Sequence, residues 1–103
     1  MDEFVEAGFT KVASKKVKAW RVAECPVAME CRLFQIVEHG SGTYRANYVI
    51  GEVVYFHVAE RLFANGRIDV AALDAIGRLG GPMYTHVTKE SVFNLPRPVL
   101  PGR

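Results

Sequence analysis

The sequence predicts a mainly β, antiparallel domain carrying two short helices, and three observations support that prediction. Val49-Ile50-Gly51-Glu52-Val53-Val54-Tyr55-Phe56-His57-Val58 is the longest run of β-branched and aromatic residues in the chain, and no proline interrupts it. The glycine-rich His39-Gly40-Ser41-Gly42-Thr43 stands shortly before it, where a hairpin turn is needed. The two segments with helix-end signals, residues 2–8 and 69–76, allow only about two turns each.

In chain order, Asp2 sits at the amino end of the first helical segment, Phe4 and Val5 are expected to point inward, and Gly8 ends it. So short a helix needs something to rest against. Thr10 to Lys18 is polar and basic and reads as a connection. Val17, Trp20 and Val22 follow as a brief extended segment, and Pro26 belongs at an edge or a turn. Residues 28–37 read as a strand with Glu30 and Arg32 on one face and Met29, Cys31 and Leu33 on the other. The slip at Phe34-Gln35-Ile36 implies a bulge or cover on both sides.

The long strand then returns, so residues 28–58 form an antiparallel hairpin. Alternation puts Tyr48, Ile50, Glu52, Val54, Phe56 and Val58 on one face and Val49, Gly51, Val53, Tyr55 and His57 on the other. Both faces are mostly apolar, which predicts cover on both.

Asn65-Gly66 marks a turn, and Asp69 is an N-cap for Val70 to Ile76, with Ile68 and Leu73 at the positions of a hydrophobic staple. Gly77 or Gly80-Gly81 ends that helix, Met83 to Val87 forms a short strand, and the tail with Pro96, Pro98 and Pro101 is extended. At 103 residues the chain is expected to be a single domain, 1–103, with room for one modest core.

Composition narrows the function classes. With 50% hydrophobic and 23% charged residues the chain is ordinary for a folded soluble protein. A net charge of +2 is too small to imply nucleic acid, and Lys15, Lys16 and Lys18, the one basic cluster, read as a solvated edge. No apolar stretch approaches the roughly 18 residues of a membrane span, and the acidic Met1-Asp2-Glu3 is unlike a signal peptide, so a cytoplasmic location is expected. Cys25 and Cys31 lack the spacing of a metal or redox pair and are expected as buried thiols.

Candidate chemistry is sparse. There is no phosphate-binding glycine signature and no nucleophile elbow around Ser14, Ser41 or Ser91. His39, His57 and His86 are scattered with no metal-binding motif, so no metal site is expected. His57 has two readings. At a strand end it could give a hydrogen bond or a proton to a ligand, or it could be a rim histidine bonded to backbone or water. Glu52 sits among Ile50, Val54 and Phe56 and, if buried, needs a partner such as Arg32 or Arg78. Arg78 with Gly80-Gly81 and Tyr84 could present a cation and a ring beside closely approached backbone, or form a helix end with a turn.

One resemblance covers nearly the whole chain. Asp2-Glu3-Phe4, then Glu30-Cys31 opening a strand, Gly51-Glu52-Val53-Val54 running to His57, Arg78-Leu79-Gly80-Gly81 with Tyr84, and Leu95-Pro96-Arg97-Pro98 resemble, in order and spacing, the carboxy-terminal part of the flavin reductase-like family. The resemblance implies a partial split barrel and non-covalent binding of FMN or sometimes FAD. It further implies hydride transfer to that flavin from NADH or NADPH, supply of reduced flavin to a monooxygenase, and a homodimer. It implies His57 as the strand-end histidine near the flavin and nicotinamide, and Arg78, Gly81 and Tyr84 as the segment approaching that site.

The family's phosphate-gripping half has no counterpart in these residues. The alternative expectation is therefore a non-catalytic β module that keeps the fold and the oligomer surface without flavin. Either way, half a barrel leaves strand edges unpaired, which predicts a dimer or higher oligomer.

Overall fold

Residues 1–101 are described by a computed structural model, and they form a mainly β, antiparallel chain with two short helices, as expected. The strands lie in four separate two-stranded sheets, so the sheets are open ribbons. Two compact units divide the chain, Met1–Ala59 and the segment from Glu60 onward.

In the first unit, helix α1 spans Glu3–Ala7. The Asp2 carboxylate accepts the Phe4 amide at 3.0 Å, and Gly8 closes the helix in the left-handed conformation, both as predicted. The inward placement fails for Val5, which is 74% exposed. A helix of little more than one turn offers one narrow stripe, and half-buried Phe4 fills it.

The expected connection after α1 contains a strand, β1 (Lys11–Val12), which pairs antiparallel with β2 (Arg21–Val22). Between them the chain bends from Ser14 to Ala19, and the Ser14 hydroxyl donates to the Ala19 carbonyl at 2.6 Å.

β3 (Val27–His39) and β4 (Ala46–Val58) form the predicted hairpin, in register from Val27 opposite Val58 to His39 opposite Ala46. The ladder slips twice. One slip leaves Phe34 unpaired in β3, at the bulge read from the sequence. The other leaves Val54 unpaired in β4. The turn Gly40–Arg45 contains a 3-10 turn at Gly42–Tyr44. Gly40 has φ +78°, and a Cβ there would lie 2.6 Å from the Tyr44 carbonyl oxygen, so only glycine fits.

Cover on both faces of this hairpin does not occur. Phe34 and Val49 are each 68% exposed, and Tyr48 and Phe56 each 60%. A two-stranded ribbon has no second layer to bury its faces against. For the same reason Cys31 is exposed, and Cys25, in the turn before β3, is exposed with it; the expectation of buried thiols is corrected.

The second unit begins with a 3-10 turn at Glu60–Leu62, whose Leu62 is 1% exposed and is the buried apolar side chain among the described residues. β5 (Phe63–Ala64) and β6 (Arg67–Ile68) flank the predicted Asn65-Gly66 turn, where both residues have positive φ. The Asp69 carboxylate caps helix α2 (Val70–Leu73), accepting the Ala72 amide at 3.1 Å.

This helix ends sooner than expected. Asp74, in the left-handed conformation, stops it, and β-branched Ile76 already begins a strand. β7 (Ile76–Gly80) pairs with β8 (Met83–His86) across the Gly81-Pro82 turn. Arg78, Gly80 and Gly81 therefore belong to a hairpin rather than to a helix end. The predicted strand at Met83 is present, and residues 92–100 carry no regular element.

Candidate functional site

Glu30 is the buried polar side chain of the chain among the described residues, 3% exposed. Register explains what it meets: Glu30 lies opposite Tyr55, so His57, two residues on in β4, is its diagonal neighbour. His57 Nε2 lies 2.6 Å from Glu30 Oε2. The bend after β1 supplies two further donors, the Lys15 amide to Oε2 at 2.7 Å and the Lys16 amide to Oε1 at 2.6 Å. A buried carboxylate is tolerable only when its oxygens are this well satisfied.

Burial by itself pushes the Glu30 carboxyl up. The hydrogen bonds from His57 and from the Lys15 and Lys16 amides, with the charge of His57, outweigh burial and hold it down at about 2. Glu30 is therefore an ionised, acceptor-only group, and the proton between it and His57 belongs on Nε2. That tautomer leaves Nδ1 as the free acceptor of a half-buried ring, 18% exposed and 5.0 Å from the tilted Tyr55 ring. An imidazole fixed in this way can accept a hydrogen bond or a proton from a ligand at Nδ1.

The remaining residues predicted for a site fall in the second unit. Arg78 and Tyr84 are cross-strand partners in the β7–β8 hairpin, and Gly81 sits at its tip with φ +52°. The structure thus brings these three onto one hairpin, with Tyr84 60% exposed, while His57 stands in the first unit with Glu30.

Glu52 is exposed. It lies opposite Arg32 in register but forms no ion pair among the described residues, so the expected structural pair is not made there. Glu30 is the carboxylate that needed a partner.

Beside the dyad is a cleft of about 310 Å³ whose walls include Ser14, Trp20, Arg21, Met29 and Glu30. Arg21 Nε is buried there with no hydrogen-bond partner. No group of three or more His, Cys, Asp or Glu is arranged to hold a metal among the described residues, and no helix is long and apolar enough to cross a membrane.

No family model matches the chain. An uncharacterized protein of Halalkalibacterium halodurans, BH2278, is 35% identical over 96 residues, which are 91% of this chain and 45% of that protein. Nitrilotriacetate monooxygenase component B from Bacillus cereus is similar in structure with a TM-score of 0.80 and 34% identity, covering 90% of this chain and 47% of that one. The Pseudomonas fluorescens 2-nitrobenzoate 2-nitroreductase NbaA gives a TM-score of 0.77 and 27% identity, covering 100% and 52%. The chain spans less than half the length of the curated relatives it matches.

Proposed function

We propose that this chain is part of a flavin reductase-type oxidoreductase in which His57, clamped by Glu30, contacts the reacting pair. The clamp itself carries the reading: a buried carboxylate that orients an imidazole while two backbone amides hold it is a costly arrangement for a ribbon with little other burial. The likeness to a monooxygenase component and to a nitroreductase supports the same class.

The cofactor of this reading is FMN, with FAD as the alternative, and NADH or NADPH is the reductant. When bound, the flavin supplies the hydride-accepting ring. The free Nδ1 of His57 holds a hydrogen bond to an amide or ring N–H of the ligands, and Glu30 fixes the imidazole in that orientation. Arg78, Gly81 and Tyr84, on the β7–β8 hairpin, are proposed as flavin-contacting residues.

The chain works in this reading as a homo-oligomer, with further strands on the free edges of β3 and β4, and reduced flavin passes to a flavin-dependent monooxygenase. The second reading is a β module that keeps the fold and assembly surface without binding flavin.

Titration with FMN, followed by NADH and NADPH oxidation assays on wild type and His57→Ala, separates the two. Flavin binding with turnover that falls about tenfold or more in the variant supports the reductase. No FMN binding at high micromolar concentration leaves the β module, and an unchanged rate in His57→Ala removes the histidine from the mechanism.

A further inference from the structure

We propose that the bend from Ser14 to Ala19 is a strap latched onto the β3–β4 hairpin by Glu30, able to lift while the hairpin stays folded, and that the hydrogen bond from His57 to Glu30 keeps it shut. The device is independent of any flavin chemistry.

The strap is a closed unit with narrow attachments. The Ser14 hydroxyl donates to the Ala19 carbonyl at 2.6 Å, so its two ends stay together whether or not it rests on the hairpin. At its base β1 and β2 pair through two residues each, Lys11 with Val22 and Val12 with Arg21. Among the described residues, the hydrogen bonds that tie the strap to the hairpin are those of the Lys15 and Lys16 amides to the Glu30 carboxylate. Apolar burial adds little: Val17 is half-buried, Ala19 is exposed, and Trp20, which follows, is 57% exposed. A segment with so few buried contacts belongs among those that open locally at low cost.

His57 enters because three donors share one buried group. Nε2 of His57 and the Lys15 amide both meet Oε2, and the Lys16 amide meets Oε1. Burial is the strongest influence on this carboxyl and works against its charge, and the donors offset it. Taking the histidine's donor away leaves a carboxylate of 3% exposure short of a partner. Lifting the strap lets water reach its oxygens and relieves that cost. The adjoining cleft changes with it, since Ser14, Val17 and Ala19 line it together with Met29, Glu30 and Cys31 of β3. Whatever draws the Nε2 proton away from Glu30 thereby opens the cleft.

Amide hydrogen exchange at Lys15 and Lys16, resolved by NMR, reads the latch directly, with the amides of the β3–β4 ladder in the same sample as reference. Wild type is compared with His57→Phe, which keeps a ring and loses the donor, and with Glu30→Gln, whose side-chain amide accepts through one atom only. In wild type the two amides exchange more slowly than unbonded ones. Both variants release them, about tenfold faster or more, while the ladder rates stay as in wild type. Trypsin then cuts after Lys15, Lys16 or Lys18, whose side chains are exposed, faster than in wild type by a similar factor.

Wild-type Lys15 and Lys16 amides that exchange as freely as in an unfolded chain overturn the strap. Unchanged protection in His57→Phe overturns it too, because the histidine's bond then does nothing to keep it shut. Release of strap and ladder together in His57→Phe is equally fatal, since it means global unfolding rather than the lifting of one segment.

Discussion

Glu30 and His57 are joined by a 2.6 Å hydrogen bond between the two long strands, at the point where the chain buries its carboxylate. The pair links a long hairpin to the bend that precedes it, since the same carboxylate holds the Lys15 and Lys16 amides. A change at Glu30 is therefore expected to act on local folding and on the histidine together.

The first expectation is a pH dependence of stability. Folding lowers the Glu30 carboxyl from its ordinary 4.5 to about 2, so the unfolded chain binds the proton more readily. The stabilisation is present in full above about pH 4.5 and is lost as pH falls through about 2. Thermal melts of wild type and Glu30→Gln should show the variant melting lower at neutral pH, with the gap narrowing across that acid window. A gap constant down to pH 2 would refute the assignment.

The second concerns the histidine's tautomer. Nitrogen NMR of the imidazole should find the proton of neutral His57 on Nε2, because an ionised carboxylate can only accept. In Glu30→Gln the amide can donate as well as accept, and the preference should weaken. A wild-type ring protonated on Nδ1 would contradict the dyad.

The third expectation is assembly. Phe34, unpaired at its bulge and 68% exposed, stands on a ribbon with both outer edges free. Sizing with light scattering should find a dimer or larger species, and Phe34→Lys should shift it toward monomer by placing an uncompensated charge in the contact. A monodisperse monomer of wild type would exclude this.

Much of the fold was legible because it rests on local chemistry. The caps Asp2, Gly8 and Asp69, the Asn65-Gly66 turn and the hairpin with its Phe34 bulge all follow from residue type and spacing. What sequence reasoning missed depends on pairing. Glu30 looked like one face of a strand, and Glu52 looked like the carboxylate in need of a partner. Only the register sets Glu30 diagonally to His57 and leaves Glu52 exposed opposite Arg32. A signal did exist, since folding residues 28–58 about the glycine turn already places the two ends, with Glu30 and His57, together. The Lys15-Lys16 amides could not be foreseen, because backbone donors in an irregular bend leave no residue pattern.

Alternation also misled on cover. Two apolar faces describe a strand that is buried somewhere, and among the described residues no layer covers them. The exposed Cys25 and Cys31 follow from the same shortage.

The last expectation tests the hairpin turn that sets this register. Gly40 and Gly42 both have positive φ, +78° and +58°, so alanine is strained at each. They differ in space: a Cβ at Gly40 meets the Tyr44 carbonyl oxygen at 2.6 Å, while one at Gly42 meets nothing within 4 Å. Gly42→Ala should cost about 1 kcal/mol from backbone strain alone. Gly40→Ala must in addition move the backbone of the 3-10 turn, for a total of about 2–4 kcal/mol. Because the turn fixes which residues face each other along β3 and β4, the larger loss should come with a weakened Glu30–His57 contact, read as a smaller acid-window gap in the melts. Equal losses for the two alanines would mean that the turn relaxes freely and that register is set elsewhere along the ladder.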